Sequence, residues 1–486
     1  MKLGEIRNIL GSQERLTREP VDLSEREPIG YSIDSRSIRA GELFFAIEGD
    51  NYDGHRFVED ALRRGALAAV VSSDYLSSSS GAGIDVNAWF LPVRDTLTAL
   101  QEMAAWVRRS WSGREVAITG SAGKTSTKEL AASALARSGR VNKTAGNLNN
   151  DYGLPLSILK MESDGAHAAD FDYAVLEMGM NHKGEIARLA NIAPPDVGVV
   201  TNVAPVHLEF FGSIEEIADA KAELVLGIKS AGSAVLNADD ELVAKMKRLR
   251  SDIRVRTFGI NRDADVRARR IEDKGILGTR FALQTPRGEV EVRLRLAGRH
   301  QIYNALAAAA AADLCETPLE AIAAALEEAS SPKMRGEILR FAEGFTLVDD
   351  SYNSNPRALI ELVSTIAATA GFNRRIVVAG EMLELGVTGA DLHRETGGRI
   401  AGLGIDLIIG VRGLARELIE GAYKAGMNEE RAVFCETPEQ AAEMIAREAK
   451  SGDLILVKGS RGVKTEVVVE RLTQQFRETE SRASGS

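Results

Sequence analysis

The chain has 486 residues, of which 44% are hydrophobic and 27% are charged, a balance typical of a globular protein with about three domains. The net charge of −10 argues against broad nucleic-acid binding, because nothing in the sequence resembles a basic stripe. Two widely separated cysteines, Cys315 and Cys435, give no disulfide framework or zinc motif. Without an apolar stretch of signal-peptide or membrane-span length, we expect a cytoplasmic protein that does not insert into membranes.

The first predicted unit, residues 1–110, has a mixed α/β pattern. Short apolar runs predict strands at 31–33, 43–47 and 67–71. The spacing of apolar residues predicts helices at 58–64 and 96–109. The serine- and glycine-rich stretch 77–83 is typical of a surface loop.

The second predicted unit, residues 111–330, opens with a strand at 115–119, a glycine loop and a helix at 124–137. Short aliphatic runs, typical of a parallel sheet covered on both faces, predict further strands at 173–176, 197–201 and 234–236. Helices are predicted at 214–228 and 301–314. Between them, residues 253–296 alternate apolar and charged side chains, which predicts an antiparallel extension of the sheet.

The third predicted unit, residues 331–486, follows a boundary at 330–332. Its predicted strands at 345–348, 375–379, 407–409 and 454–457 alternate with helices. This alternation predicts a doubly wound, Rossmann-like domain. The whole chain is therefore predicted to be an α/β protein of three domains.

The strongest local motif is a glycine loop between a predicted strand and a predicted helix. Its glycines let backbone N–H groups face a phosphate, while Lys124 reaches the β- and γ-phosphates and the Thr125 hydroxyl binds Mg²⁺. Only two residues separate the glycines where the standard pattern has four, so the loop is a shortened variant. We interpret it as an ATP-binding loop rather than as a turn that only caps a helix. The residues concerned are Gly120, Ser121, Ala122, Gly123, Lys124, Thr125 and Ser126.

Two further polar side chains follow predicted strands. Glu177 comes directly after one strand and His207 lies beyond the next one, on the edge of the sheet that carries Thr125. A carboxylate and an imidazole at that edge are candidates for metal ligands near the γ-phosphate. The alternatives are a solvated glutamate and a packed or surface histidine. Lys221 lies in a predicted helix, where residue physics alone indicates only a solvated lysine.

A series of motifs accompanies the loop, His207 and Lys221 along the chain. In chain order these are Asp34-Ser35-Arg36, Asp53-Gly54-His55, Asn147-Leu148-Asn149-Asn150, Gly153-Leu154-Pro155, Glu177-Met178-Gly179, Asn237-Ala238-Asp239-Asp240, His300 to Asn304, Asp349-Asp350-Ser351-Tyr352-Asn353-Ser354-Asn355-Pro356, Gly380-Glu381-Met382-Leu383-Glu384-Leu385-Gly386 and Lys458-Gly459-Ser460-Arg461-Gly462. Together with the loop they resemble the Mur ligases over residues 30–470. The last three motifs are the most specific, and they resemble the type that adds D-alanyl-D-alanine to UDP-N-acetylmuramoyl-tripeptide.

The resemblance implies an ATP-dependent ligase that works through an acyl phosphate with two Mg²⁺ ions. It implies catalytic roles for Lys124, Glu177, His207 and Lys221. Lys221 resembles a lysine that is carbamylated, and in that form it would bind a second Mg²⁺ together with His207. The implied metal ligands are Thr125, Glu177, His207 and carbamylated Lys221.

The resemblance also implies contacts to ATP and to the substrates. Gln301 and Asn304 match positions at the adenine, although the family usually has asparagine where Gln301 stands. Arg335 matches an arginine that reaches the phosphates, and Asp350 matches a residue at the ribose. The substrate-binding residues implied in this way are Ser35, Arg36, Asn149, Asn150, Asn353, Asn355, Lys458, Ser460 and Arg461.

The same resemblance assigns a partner to each predicted domain. Residues 1–110 are expected to bind the UDP-sugar, residues 111–330 ATP, and residues 331–486 the incoming D-alanyl-D-alanine. Within the second range, Asn149 and Asn150 are expected to face the muramoyl substrate. A monomer is expected.

Two other functions stay open at this point. One is another ligase of the same superfamily, such as a folylpolyglutamate synthase, against which the stretches 349–356 and 381–386 argue. The other is a regulatory ATPase, because motors, transporters and switches share phosphate loops. A regulatory ATPase would hydrolyse ATP without needing a carboxylate substrate.

Overall fold

A computed structural model describes residues 1–12, 15–16, 24–49, 52–77, 89–205 and 211–479 of the chain. Its strands form three sheets of five, nine and six strands. Each sheet lies within one of the three ranges predicted above, and the predicted α/β class is confirmed. Residues 78–83 of the loop predicted at 77–83 lie outside the described residues. The predicted metal ligand His207 also lies outside them.

The first sheet is parallel except for one edge strand. The predicted strands and helices of this unit are present within two residues of their expected ends. Its strands, in spatial order, are Arg15–Leu16, Trp89–Val93, Ala68–Ser72, Leu43–Phe45 and Tyr31–Ser32. Its helices are Leu3–Ile9, Val58–Arg63, Ser73–Ser77 and Thr96–Ser110.

The second sheet is parallel over seven strands and ends in two antiparallel ones. Its four central parallel strands, Arg114–Thr119, Tyr173–Glu177, Val197–Val200 and Ser233–Asn237, are buried on both faces, which explains their short aliphatic runs. In spatial order the strands are Gly288–Leu294, Thr279–Thr285, Val266–Asp273, Arg254–Gly259, Ser233–Asn237, Val197–Val200, Arg114–Thr119, Tyr173–Glu177 and Val141–Lys143. Its helices are Lys124–Leu135, Gly153–Leu159, Glu185–Ile192, Ile214–Leu226, Glu241–Lys245, His300–Leu314 and Leu319–Glu328.

The prediction of antiparallel sheet over 253–296 is wrong for the first part of that range. The strand Arg254–Gly259 pairs in parallel with Ser233–Asn237, and its other neighbour, Val266–Asp273, also runs parallel to it. Alternating side chains mark a strand with one solvated face, and an edge region of a parallel sheet has such a face as well. Only Val266–Asp273, Thr279–Thr285 and Gly288–Leu294 form the antiparallel extension.

The third sheet has one antiparallel edge strand and is otherwise parallel. The four predicted strands are present, and two shorter ones were missed at the edges. In spatial order the strands are Glu337–Arg340, Thr346–Asp350, Asp453–Lys458, Arg374–Gly380, Leu407–Val411 and Ala432–Cys435. The helices are Pro356–Ala368, Gly389–Ala401, Ala415–Lys424, Pro438–Glu448 and Glu466–Gln475. No helix in the described parts of the chain combines the length and the apolar content needed to cross a bilayer.

The first and second sheets share one continuous apolar core. The helix Thr96–Ser110 supplies the contact, because its apolar face packs against Gly153–Leu159 and Glu185–Ile192. The third sheet has its own cores, one of which also takes in Ile276 of the second unit. The Ile276 N–H donates to Thr369 Oγ1 at 3.1 Å, which ties the antiparallel extension to the third unit.

A buried ion cluster fixes the end of the shared helix. Arg108, at its last turn, lies with Nε 2.6 Å from Glu115 Oε2 and Nη2 2.8 Å from Asp196 Oδ2. Arg108 and Glu115 are both fully enclosed, and burial raises the pKa of Glu115 to about 7. Asp196 also pairs with Lys229 at 3.1 Å. Arg108 is therefore the cation that keeps the Glu115 carboxylate compatible with the interior.

Arg108→Met should destabilise the protein strongly, because it leaves Glu115 buried without its cation. Removing one member of a buried ion pair costs about 3–5 kcal/mol. We expect a clearly lower urea midpoint by circular dichroism. The neighbouring Arg109 is exposed, so Arg109→Met is the matched control and should leave the midpoint unchanged. Equal midpoints for both variants would contradict the importance of this cluster.

Candidate functional site

The candidate site lies at the carboxyl edge of the second sheet. The strands Arg114–Thr119, Tyr173–Glu177 and Val197–Val200 are parallel neighbours, so their last residues meet at one edge. Such an edge is where ligands bind in open α/β sheets. The glycine loop leaves from the middle strand of these three.

Two glycines allow the loop to fold tightly against its neighbours. Gly120 has φ +152° and Gly123 has φ +81°, and side chains rarely adopt either conformation. A Cβ at Gly120 would overlap the hydroxyl of Thr201, and one at Gly123 would overlap the Asn304 amide. Gly123 is the N-cap of the helix Lys124–Leu135. The first N–H groups of that helix have no intrahelical partners and form an anion-binding end.

Thr201 and Asn202 hold the loop in place, and neither residue was predicted. Thr201 Oγ1 donates to Ala122 O at 2.6 Å. The Asn202 side chain accepts from Ala122 N at 2.9 Å and donates to Ala122 O at 3.0 Å, while its carbonyl accepts from Ser121 N at 3.0 Å. Both residues directly follow the strand Val197–Val200, which neighbours the loop strand, and that position is the sequence signal that could have identified them.

Lys124 folds back over the loop. Its Nζ donates to Gly120 O at 2.8 Å. Burial lowers the pKa of Lys124; Glu177 opposes that shift, and the positive charge of Arg335 adds to it. Arg335 of the third unit is therefore close enough to Lys124 for its charge to act on that side chain, and two cations in one region favour a bound anion.

Glu177 is a buried carboxylate with two side-chain partners. Its Oε2 accepts from Thr125 Oγ1 at 2.8 Å, and its Oε1 accepts from Asn149 Nδ2 at 2.8 Å. The predicted neighbours Thr125 and Glu177 are thus brought together, and Asn149 joins them. A hydroxyl and a carboxylate oxygen are ligands that Mg²⁺ prefers. The donor set on this edge therefore fits the implied cation.

Lys221 is only 2% exposed, so the expectation of a solvated helix lysine is wrong. Burial lowers the pKa of Lys221 well below its ordinary value, and the charge of Lys124 lowers it further. In the described part of the chain, no carboxylate forms an ion pair with Lys221. A lysine in this setting favours the neutral amine.

Gln301 and Asn304 lie on the helix His300–Leu314 and are both buried. Asn304 Nδ2 donates to Gln301 Oε1 at 2.9 Å, and Asn304 Oδ1 accepts from Thr127 Oγ1 at 3.4 Å. Asn304 lies directly against Gly123 of the phosphate loop, and its amide is bonded to that of Gln301.

Several predicted residues of the third unit form a compact group. The Arg335 guanidinium lies 3.9 Å from the centre of the Tyr352 ring. Lys458, which is 3% exposed, forms an ion pair with Asp350, and its Nζ donates to Asn353 O at 2.8 Å. Lys458 is thereby brought together with the residue predicted at the ribose.

Ser460 and Arg461, which follow Gly459 after the strand Asp453–Lys458, have different surroundings. Ser460 is buried, and its Oγ accepts from Leu383 N at 3.0 Å. Arg461 Nη1 donates to Glu466 Oε1 at 2.9 Å, and its side chain is exposed. Ser460 is therefore bonded to the stretch 381–386, which sequence analysis identified as one of the most specific motifs.

Two of the predicted substrate residues also shape the backbone locally. Asn150 Oδ1 accepts from Gly153 N at 3.0 Å. Asn355 is the N-cap of the helix Pro356–Ala368, where its Oδ1 accepts from Ala358 N at 2.9 Å. These bonds explain both asparagines without a ligand.

Ser35 and Arg36 lie in the first unit, away from the loop in sequence. Ser35 is buried, whereas the Arg36 side chain is 85% exposed and pairs with Asp34 at 2.7 Å. A hydrogen bond from Arg36 lowers the pKa of Asp34 to about 2. Arg36 is thus an exposed cation at the surface of the first unit.

Family sequence models match most of the chain in three segments. Residues 29–108 match the Mur ligase family catalytic domain, residues 118–312 the Mur ligase middle domain, and residues 334–461 the Mur ligase glutamate ligase domain. The order of these matches is the order of the three sheets.

Individual relatives also match this chain over nearly their full length. The UDP-N-acetylmuramoyl-tripeptide–D-alanyl-D-alanine ligase of Escherichia coli K12 is 37% identical, over 91% of this chain and 93% of the relative. A MurF crystal structure from Acinetobacter baumannii has TM-score 0.85 at 29% identity and covers 97% of this chain and 98% of that one. The MurF ligase of Thermotoga maritima, solved in complex with ADP, has TM-score 0.77 at 29% identity, covering 92% and 97%. The chain belongs to the Mur ligase family.

Proposed function

We propose that this chain joins D-alanyl-D-alanine to UDP-N-acetylmuramoyl-tripeptide at the expense of ATP, giving the pentapeptide precursor of peptidoglycan, ADP and phosphate. The identity of the curated relatives over nearly their whole length supports the substrates. The observation that carries the chemistry is the glycine loop at a helix N-terminus, where the Thr125 hydroxyl bonds to the Glu177 carboxylate and Lys124 folds back over the loop. Two cationic side chains, Lys124 and Arg335, beside a helix N-terminus are suited to a triphosphate.

The reaction needs activation because a carboxylate is a poor electrophile. The terminal carboxylate of the tripeptide attacks the γ-phosphorus of ATP, the bond to ADP breaks, and an acyl phosphate forms. The amine of D-alanyl-D-alanine then attacks the acyl carbon, phosphate leaves with the electron pair, and the nitrogen loses a proton. Both steps place negative charge on oxygens, which positioned cations stabilise.

Within this proposal, the loop from Gly120 to Ser126 holds the phosphates and Lys124 neutralises their charge. Arg335 approaches from the third unit and closes the site over the acyl phosphate, which must be kept from water. The stretch 330–332 is the hinge for that movement. Gln301 and Asn304 face the adenine, and Asp350 faces the ribose.

Magnesium is part of this proposal. Thr125 and Glu177 would hold one ion, and His207 and Lys221 would help to hold a second. The oxygen pair at Thr125 and Glu177 fits a hard cation, as described above. When bound, Mg²⁺ screens the repulsion between the attacking carboxylate and the triphosphate.

Carbamylation of Lys221 is also part of this proposal. Only a neutral amine attacks CO₂, and the lowered pKa of Lys221 provides that form. The nitrogen bonds to the carbon of CO₂ and releases one proton, so the neutral amine becomes a carboxylate-like group beside Lys124. Its negative charge would offset the positive charge of Lys124 and supply oxygen ligands.

The substrates are assigned to the three units as follows. Residues 1–110 bind the UDP-sugar with Ser35 and Arg36, and residues 111–330 bind ATP and place Asn149 and Asn150 near the muramoyl group. Residues 331–486 bind the dipeptide. The residues proposed for this last unit are Asn353, Asn355, Lys458, Ser460 and Arg461.

A cytoplasmic monomer is the proposed state of the protein. ATP and a UDP-linked substrate are cytoplasmic metabolites, and both cysteines are free and buried, as suits a reducing compartment. Size-exclusion chromatography with light scattering measures the assembly directly, and a dimer mass would overturn the monomer.

A coupled ADP assay tests the proposed function. With UDP-N-acetylmuramoyl-tripeptide and D-alanyl-D-alanine we expect continuous ADP release and formation of the pentapeptide by mass spectrometry. Without the dipeptide, release should stop after the acyl phosphate has formed. A folylpolyglutamate synthase would instead respond to folate and glutamate, and a regulatory ATPase would release ADP equally without the muramoyl substrate.

Lys124→Ala should abolish acyl phosphate formation, because the γ-phosphoryl group loses its nearest cation. The loss of one preorganised charged donor costs roughly 10²–10³-fold in rate. Single-turnover ADP formation with UDP-N-acetylmuramoyl-tripeptide measures it. Lys183, an exposed lysine, provides the control Lys183→Ala, which should react normally. Full ligation activity in Lys124→Ala would show that the loop has been assigned wrongly.

Carbamylation of Lys221 should give a ¹³C carbamate signal in protein equilibrated with labelled CO₂. The signal should grow as pH rises, because more of the amine becomes neutral, and it should be absent from Lys221→Met. Lys183→Met should retain it. An identical signal in Lys221→Met would assign the carbamate to another amine.

A further inference from the structure

The stretch 381–385, here called the acceptor loop, follows the strand Arg374–Gly380. That strand pairs in parallel with Asp453–Lys458, so the acceptor loop and Ser460 leave the third sheet at the same edge. Leu383 lies against the turn Arg461–Val463, since a Cβ at Gly462 would come 2.9 Å from Leu383 Cδ1. The loop therefore borders the segment proposed to bind the dipeptide.

Three hydrogen bonds from different elements hold this loop, two through its backbone N–H groups and one through the Glu381 side chain. Leu383 N donates to Ser460 Oγ at 3.0 Å, and Leu414 N donates to Glu381 Oε1 at 3.0 Å. Met382 N donates to His393 Nε2 at 2.9 Å. Glu384 has φ +63°, a conformation that a non-glycine residue keeps only when its surroundings impose it. The loop is thus held in one conformation by groups outside it.

His393 lies on the helix Gly389–Ala401 and is 0% exposed. Its Nδ1 lies 2.7 Å from Gly389 O, a pure acceptor, so Nδ1 carries the proton and Nε2 accepts from Met382. Both bonds together require the neutral ring. Burial lowers the pKa of His393, while Glu381 and Glu417 act in the opposite direction. Arg394 partly neutralises Glu417 through an ion pair at 2.5 Å.

We infer that His393 is a positioning residue for the acceptor dipeptide, an inference that rests on the proposed function. It acts through Met382 N to keep Leu383 beside Ser460 and Gly462. Leu383 is 40% exposed, although it stands in a polar edge. Its side chain offers the apolar contact that a D-alanine methyl group needs. Met382 itself is 1% exposed, so packing holds its side chain in place. The position of the Met382 backbone in turn fixes that of the adjoining Leu383.

His393→Leu should raise the KM for D-alanyl-D-alanine by roughly tenfold or more, because the buried Met382 N–H loses its acceptor. The KM values for ATP and for UDP-N-acetylmuramoyl-tripeptide should stay within about twofold, since neither substrate depends on this hydrogen bond. His393→Gln keeps an acceptor near the position of Nε2 and should restore most of the affinity. Steady-state ADP release with each substrate varied in turn gives all three values.

Thr396→Val is the matched control. Thr396 lies one turn away on the same helix, is 1% exposed and donates only to Leu392 O at 2.6 Å. This variant loses a buried hydrogen bond without touching the acceptor loop, and its KM for the dipeptide should equal that of the parent. A tenfold rise in Thr396→Val as well would reduce the effect of His393 to general stability and overturn the inference.

A pH series gives a second test that does not depend on the folding of His393→Leu. Protonation of Nε2 in acid removes the acceptor, so the parent's KM for the dipeptide should rise relative to that of His393→Gln. Parallel profiles would overturn the inference while leaving the proposed function intact. A parent chain that forms no pentapeptide under any condition would instead overturn the proposed function.

Discussion

Electrostatic repulsion among cations is the constraint around which this site is built. Burial and the charge of Lys124 lower the pKa of Lys221, while burial and the charge of Arg335, from another unit, lower the pKa of Lys124. Glu177 is the carboxylate that opposes this field at Lys124. Cations held close together repel one another, and a bound polyanion offsets that repulsion. The loop glycines allow the tight turn before the helix Lys124–Leu135, and the hydrogen bonds of Thr201 and Asn202 fix that turn. The N-terminus of the helix can therefore face the same anion as the cations.

Much of the fold was predictable from sequence because local patterns determine it. The runs that became Arg114–Thr119 and Tyr173–Glu177 are short and aliphatic, and only a strand buried on both faces explains them. The strand Arg254–Gly259 was assigned the wrong direction because alternation reports one solvated face and not the orientation of the neighbour. The edge strands Glu337–Arg340 and Ala432–Cys435 have four residues each, too few for a periodicity to emerge.

The site was predictable where a residue's position follows from a strand end. Thr125 and Glu177 were expected to meet and do so. Lys221 carried no local signal, because its burial depends on how the helix Ile214–Leu226 packs on the sheet. His393 was missed for a similar reason. Its partner Met382 is 11 residues away, and only the turn between strand and helix brings the two together.

The core shared by the first two sheets has a consequence for substrate length. Arg108 is bonded to Glu115 and Asp196. The helix Thr96–Ser110 therefore cannot rotate against the second unit without leaving charged groups unpaired in an apolar interior. If the first unit holds the uridine diphosphate as proposed, the span from that anchor to Lys124 is set by packing rather than by the ligand. Each peptide residue extends a chain by at most about 3.3–3.6 Å. The two units therefore fix the distance between the bound uridine diphosphate and the γ-phosphate. A peptide one residue short would leave its carboxylate about 3.3–3.6 Å short of the γ-phosphate.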